Sequence, residues 1–323
     1  MKDKDTEARE ATAANWIVTR RDFLKASGFV ISGLSLGAPF TFAGELDSNT
    51  RVRFGIVTDA HYADNAPRGT RHYRESIAKM TECVNFMNDK KVDFLIELGD
   101  FKDQGDPASE METLNYLEAI EQIFRQFSGP RYHVLGNHDV DSISKEQFLT
   151  RVENTGISSL SKYYSFDSNE LHFVVLDANY MADGSDYDHG NFNWTDTNIS
   201  HKELDWLKND LAASSKPVIV FVHQQLDGKG NHTVKNAAEV RQIMQESQRV
   251  IAVFQGHNHA GHYSYIENIH YYTLKAMVEG SGEINNSYAI VEVQDNENIV
   301  VTGYRRAMSR ELDNAKQSNK PDL

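Results

Sequence analysis

Residues 132–139 read Tyr132-His133-Val134-Leu135-Gly136-Asn137-His138-Asp139. A short apolar run predicts a strand over Tyr132–Leu135. It breaks at a glycine, which lets the backbone turn sharply. An amide, an imidazole and a carboxylate follow at once. A strand holds its last residue rigidly, and the loop beyond it exposes side chains at the carboxyl edge of the sheet, where open α/β sheets bind ligands.

The same device recurs in both directions from this stretch. Toward the N-terminus, Val52–Thr58 predicts a strand followed by Asp59-Ala60-His61, and the apolar run Val92–Leu98 ends in Gly99-Asp100, with Asp103 close behind. Toward the C-terminus, Pro217–Val222 predicts a buried strand ending at His223, and Val250–Phe254 precedes Gly256-His257-Asn258-His259. Helical periods lie between: His72–Lys91, Glu110–Phe127, His201–Ala213 and Val234–Ser247. Tyr163–Phe166 and Leu171–Leu176 pair across a polar turn. The last third adds strands at Tyr263–Ile266, His270–Leu274, Tyr288–Val293 and Ile299–Tyr304. Strands alternating with helices imply a layered α/β domain. No linker divides residues 44–310, and residues 311–323 read as a polar tail.

Taken singly, these clusters are weak signals, since Asp100 alone reads as a loop cap and Asn137 as a turn residue. In order, each after a strand, they outweigh that reading. They supply carboxylates, imidazoles and one amide, with no thiolate. Such nitrogen and oxygen donors suit divalent manganese, iron, zinc or nickel and exclude thiolate-rich structural zinc. Phosphate ester cleavage asks for a nucleophile at neutral pH, compensation of charge on the non-bridging oxygens, and stabilisation of the leaving alkoxide. Two metals ~3.5–4 Å apart supply the first two through a water held between them. A shared carboxylate holds like-charged metals that close, and Asp100 is the natural candidate. A protonated histidine supplies the third.

The series Asp59-x-His61, Gly99-Asp100, Gly136-Asn137-His138-Asp139, His223 and Gly256-His257-Asn258-His259 resembles the calcineurin-like metallophosphoesterase superfamily. The resemblance covers about residues 52–305. It implies a four-layer αββα sandwich and two divalent metal ions of manganese, iron or zinc. Asp59, His61 and His259 would bind the first ion, Asn137, His223 and His257 the second, with Asp100 bridging. His138 would be the catalytic acid, oriented by Asp139. The stretch Phe54–Asp64, Gly69-Thr70-Arg71, Tyr73-Arg74, Tyr272-Thr273-Leu274 and Val278-Glu279 resembles the manganese-dependent ADP-ribose/CDP-alcohol pyrophosphatase branch. The expected activity is a phosphatase or phosphodiesterase on a small phosphorylated substrate, with a nucleotide-diphosphate pyrophosphatase as the alternative.

Around this centre, Asp103 is a candidate for a hydrogen bond to a ligand. Arg71 and Arg74 either grip substrate phosphate or begin a solvated helix, and Tyr62 either lines the pocket or packs. Asp183, Asp186, Asp188 and His189 crowd one loop with no role assigned. The net charge of −14 lacks the basic face of a general nucleic-acid binder. The lone Cys83 lies on the apolar stripe Ile77, Met80, Val84, Met87 and reads as a small buried hydrophobe.

Residues 1–43 read as an export segment. Thr19-Arg20-Arg21-Asp22-Phe23-Leu24-Lys25 precedes an uncharged stretch, Ala26 to Ala43, rich in glycine and serine. This order matches a signal peptide, and its paired arginines match the twin-arginine form. The expected location is the periplasm or the exterior, reached through the twin-arginine export machinery. A stable membrane span asks for ~20 strongly apolar residues. This stretch is slightly short and diluted by glycine, serine and proline, so no stable span is expected in the mature chain, with an uncleaved membrane anchor as the alternative.

Overall fold

The computed structural model describes residues 49–313. The export segment and the end of the polar tail lie outside them. Along the chain run β1 (Thr50–Val57), α1 (Ser76–Lys90), β2 (Phe94–Glu97), α2 (Glu110–Phe124), β3 (Arg131–His133) and α3 (Lys145–Leu149). Then come β4 (Tyr164–Ser168), β5 (Leu171–Val175), α4 (His201–Ala213), β6 (Val218–Val222), α5 (Ala237–Ser247) and β7 (Val250–Gln255). The C-terminal part is strands, with one 3-10 turn at Glu283–Asn285: β8 (His262–Ile266), β9 (Ile269–Thr273), β10 (Ser287–Gln294), β11 (Ile299–Arg305) and β12 (Arg310–Leu312).

These strands form two six-stranded sheets, in the orders β12-β11-β10-β1-β2-β3 and β4-β5-β6-β7-β9-β8. In the first, β1, β2 and β3 run parallel. In the second, β5, β6, β7 and β9 run parallel. Both mixed sheets therefore place a run of parallel strand ends on one edge, and every cluster quoted above follows one of them.

Alternation along each strand decides which face meets what. Phe54, Phe94, Phe173, Phe221 and Phe254 turn inward and form the core between the sheets. Phe54 stacks on Phe94 at 4.8 Å and meets Phe173 and Phe221 edge-on at 5.6 and 5.7 Å. Each such side chain contributes about 1.5–3 kcal/mol by leaving water. The outer face of the first sheet carries α1 and α2 through Met80, Cys83, Met87, Leu117, Ile120 and Phe124. Gly55 makes that packing close, because a Cβ there would sit 2.7 Å from the Met87 sulfur. The second sheet carries α4 and α5 through Leu204, Leu207, Leu211, Val240 and Met244. The result is the expected four-layer αββα sandwich.

Two short elements were not legible. α3 is only five residues, held by a capping box between Ser144 and Gln147. β12 includes residues 311 and 312, which the sequence placed in the tail. Leu312 pairs with Ile299 and is fully buried. One apolar side chain among charged neighbours gives no period to read.

A polar contact closes the far edge of the second sheet. The His172 ring lies 2.7 Å from Asp167 and 2.8 Å from Asp210. Burial lowers its pKa, but the two carboxylates outweigh this and raise it above its ordinary 6.5. A group raised on folding contributes stability below its unfolded pKa and loses it as pH rises through the folded value. Replacing His172 by Asn should therefore cost on the order of 1 kcal/mol below about pH 6 and progressively less in alkali. Thermal unfolding across pH checks this, and a pH-independent difference between the two proteins would contradict it.

Candidate metal centre

The strand ends are tightly wound. Asp59, His61, Asp100 and His257 all take left-handed backbone conformations, with φ of 51°, 45°, 56° and 64°. Non-glycine residues held this way cluster at functional sites, at a cost of order 1–3 kcal/mol each. The neighbouring glycines divide the work differently from the sequence expectation that all three serve turning. Gly99 alone has the positive φ, 98°. Gly136 and Gly256 are required by close approach, since a Cβ at either would overlap Asp100 or Thr58 respectively. Gly136 faces Asp100 within the first sheet, whereas Gly256 faces Thr58 across the two sheets, and a Cβ on Gly99 would likewise meet His223 of the second sheet at 2.6 Å.

The seven expected metal-binding residues converge from both sheets. Donor atoms of Asp59, His61 and His259 lie within 4.8 Å of one another, as do those of Asp100, His223 and His257. Asp59 Oδ1 is 3.3 Å from His259 Nε2. Asp100 Oδ2 is 3.1 Å from His223 Nε2 and 3.5 Å from His61 Nε2, so it stands between the groups. Asn137 presents a buried Oδ1 with no hydrogen-bond partner. Asp59 Oδ1, His223 Nε2 and His257 Nε2 are likewise buried without one. Orphaned buried donors and acceptors are rare in folded proteins, and these four gather at one place. His61 and His259 also face each other through Nε2 atoms 3.2 Å apart, a spacing that a shared proton or cation makes tolerable.

Three of the four histidines are anchored through their other ring nitrogen, which aims the free one. His223 Nδ1 bonds to the carbonyl of Leu98 at 2.8 Å, His61 Nδ1 to Asp103 at 3.2 Å and His259 Nδ1 to Glu279 at 2.7 Å. Burial raises the Asp59 pKa, but His259 and His61 hold it well below the usual range. Burial likewise opposes ionisation of Asp100, and His223 and His138 outweigh it and hold its carboxyl low. Against burial, Asp100 lifts His223 and Asp59 lifts His259, each to about 9. Anionic carboxylates crowded with imidazoles form a donor set that fits divalent cations, which would displace the imidazole protons on binding.

His138 sits at the rim. Its ring centroid is 4.7 Å from that of His61, and its side chain is 31% exposed. The assignment of Asp139 as its orienting partner needs correction. The Asp139 carboxylate accepts main-chain N–H groups of Asp100 at 3.0 Å, Phe101 at 2.9 Å and Gly136 at 2.8 Å. It therefore ties the loop after β2 to the loop after β3. Residues His138–Val140 form a 3-10 turn, in which side chains three apart eclipse and adjacent ones diverge. The carboxylates at the His138 ring are instead Asp103 and Asp141, each 3.4 Å from Nδ1. Burial works against protonation of His138, but Asp103 and Asp100 hold its pKa well above the ordinary value.

Residues 52–261 match the calcineurin-like phosphoesterase family. The chain belongs to that family. A manganese-dependent ADP-ribose/CDP-alcohol diphosphatase of Oryza sativa is 27% identical over 270 residues, covering 70% of this chain and 83% of the relative. A protein of the same description from Arabidopsis thaliana is 26% identical over 306 residues, covering 81% and 96%. Among solved structures, a dimetal phosphatase from Danio rerio shares the fold with a TM-score of 0.71 at 20% identity, covering 83% of this chain and all of that one. This calcineurin-like phosphoesterase is thus a metal-dependent phosphoric ester hydrolase that uses two metal ions.

Beside the centre of this phosphoesterase opens a cleft of about 800 Å³, lined by Asp64, Arg68, Arg71, Arg74, Gln104 and His138 among others. Arg74 is ion-paired with Asp64. Arg71 makes no side-chain hydrogen bond or ion pair among the described residues, so its guanidinium is available to the cleft. Tyr62 packs edge-on against Tyr116 at 6.0 Å, against the core under α2, and is not among the cleft residues. Three residues at the site went unassigned in the sequence reading. Glu279 anchors His259 and was quoted only as part of a resemblance. Asp141 was not singled out. The His232 ring lies 5.0 Å from the His257 ring, with exposed Trp194 at 5.5 Å from both. These come from loops, whose approach to a distant strand end leaves no periodic signal.

Proposed function

We propose that one cation is held by Asp59, His61 and His259 and a second by Asn137, His223 and His257, that Asp100 is shared, and that His138 is the general acid. Two divalent cations bound there supply the charge that offsets the phosphoryl oxygens and the acidity that makes water a nucleophile at neutral pH. The chain's own residues do the rest. Asp103 and Asp141 occupy the Nδ1 side of His138, which leaves Nε2 to hand a proton to the departing oxygen. The observation that carries this role is placement: among the described residues, His138 alone is a histidine that both touches the cluster and lines the cleft.

A second reading narrows the substrate to a diphosphate linkage, as in ADP-ribose or CDP-alcohols. Three observations favour it. The cleft is larger than one phosphate requires, Arg71 is unpaired within it, and the two relatives so described match over most of their lengths. Steady-state hydrolysis with manganese of a phosphomonoester, a phosphodiester, ADP-ribose and CDP-choline tests both readings. We expect kcat/KM at least about tenfold higher for the last two, and Arg71→Ala to reduce that preference by about the worth of one bidentate contact, roughly 1.5–3 kcal/mol. Preference for simple esters would leave only the first reading.

We also propose export through the twin-arginine route, on the strength of Arg20-Arg21 and the uncharged stretch after it. Replacing both arginines by lysine should strand the protein in the cytoplasm in a fractionation experiment. Unchanged export would refute the route, and full-length protein in the membrane fraction would point to the anchor.

A further inference from the structure

We propose that Asp141 and Lys102 act together as positioning residues for His138. The inference rests on the reading of His138 as the general acid. Asp141 follows His138 by three residues across a 3-10 turn, so its carboxylate eclipses the imidazole, with Oδ2 3.4 Å from Nδ1. That same oxygen accepts the Gln104 main-chain N–H at 3.1 Å. The other oxygen pairs with the ammonium of Lys102, which also donates to the main-chain carbonyl of His138. Lys102 is fully buried, so this ammonium serves the protein interior and not solvent.

One buried cation thus holds the backbone of His138 directly and fixes the Asp141 carboxylate beside its ring, at ion-pair distance from an Nδ1 that has no hydrogen bond of its own. Asp103 cannot do this alone, because its Oδ2 is engaged with Nδ1 of His61 while Oδ1 lies 3.4 Å from His138. A single carboxylate fixes a distance, whereas carboxylates from two segments fix the plane of the ring. The pairing also has a charge logic. Lys102 neutralises Asp141, so the second carboxylate adds orientation without adding net negative charge beside a phosphate site. A catalytic acid misplaced by about 1 Å can lose on the order of a hundredfold in rate, so a dedicated clamp has a use.

The test compares the metal-loaded enzyme on two phosphoesters of equal charge, one with a 4-nitrophenyl leaving group and one with an alkyl leaving group that needs a proton. Asp141→Asn and Lys102→Met should lower kcat on the alkyl ester at least about tenfold more than on the aryl ester, with KM changed less than about threefold and metal content unaltered. Lys102→Arg should restore most of the selective loss. Equal falls on both esters, or loss of metal, would overturn the positioning role. The Asp141→Asn exchange keeps size and shape, so it carries the test if the buried Lys102→Met does not fold. His138→Ala separates the two ideas. If it lacks the alkyl-selective loss, the acid assignment fails. If it shows the loss and Asp141→Asn does not, only the clamp fails.

Discussion

Asp100→Asn is expected to lower kcat by about a thousandfold or more and to reduce the metal bound per chain, measured by elemental analysis of the folded protein beside its steady-state rate. The side chain keeps its size, so the loss comes from charge. Asp100 Oδ2 stands between His61 and His223, and its Oδ1 accepts the His138 main-chain N–H at 2.7 Å. A neutral amide in that place cannot offset two adjacent divalent ions. It would also present N–H groups to a site otherwise made of acceptors. Near-wild-type activity with full metal content would show that the two groups of donors do not depend on a shared carboxylate. A lost fold, seen by circular dichroism, is not expected, because the layers are held by the phenylalanine core and the helix packing, not by this carboxylate.

His138→Ala is expected to behave differently. The rate on an alkyl phosphoester should fall by about 10²–10⁴, while metal content stays that of the unaltered protein. On a 4-nitrophenyl ester, whose leaving group departs without a proton, the fall should be at least tenfold smaller. His138 borders the cluster at 4.7 Å between ring centroids, and its donor atom lies within 4.8 Å of those of His61 and Asp103, so metal content is the readout that separates an acid from a ligand. Equal losses on both substrates would mean that the histidine binds phosphate or metal. Together the two substitutions separate the centre that holds charge from the group that delivers the proton.

Much of this was legible in the order of residues. The αββα architecture follows from apolar runs such as Val92–Leu98 and Pro217–Val222 alternating with helical periods, because side-chain direction repeats every two residues in a strand and every 3.6 in a helix. The metal-binding candidates were legible because each directly follows such a run. Local chain geometry carries them to one sheet edge whatever the loops do. The buried role of Cys83 followed from its place on a helical stripe.

Other features belong to the folded molecule. Asp139 is adjacent to His138 in sequence, yet a 3-10 turn sends its carboxylate to four backbone amides and brings Asp141 to the ring instead. Adjacency in the chain does not set which side chains meet. Glu279 is twenty residues from His259 and reaches it because residues 276–278 hydrogen-bond back to His259, Thr58 and Asp59. Leu312 enters the core only because β11 offers a free edge. The sequence by itself determined the layers, the edge and the donor types, because these depend on local periodicity and on chemistry carried by single residues. Only the tertiary structure decided which carboxylate orients which histidine, because that depends on angles between loops that meet across two sheets and that no local period records.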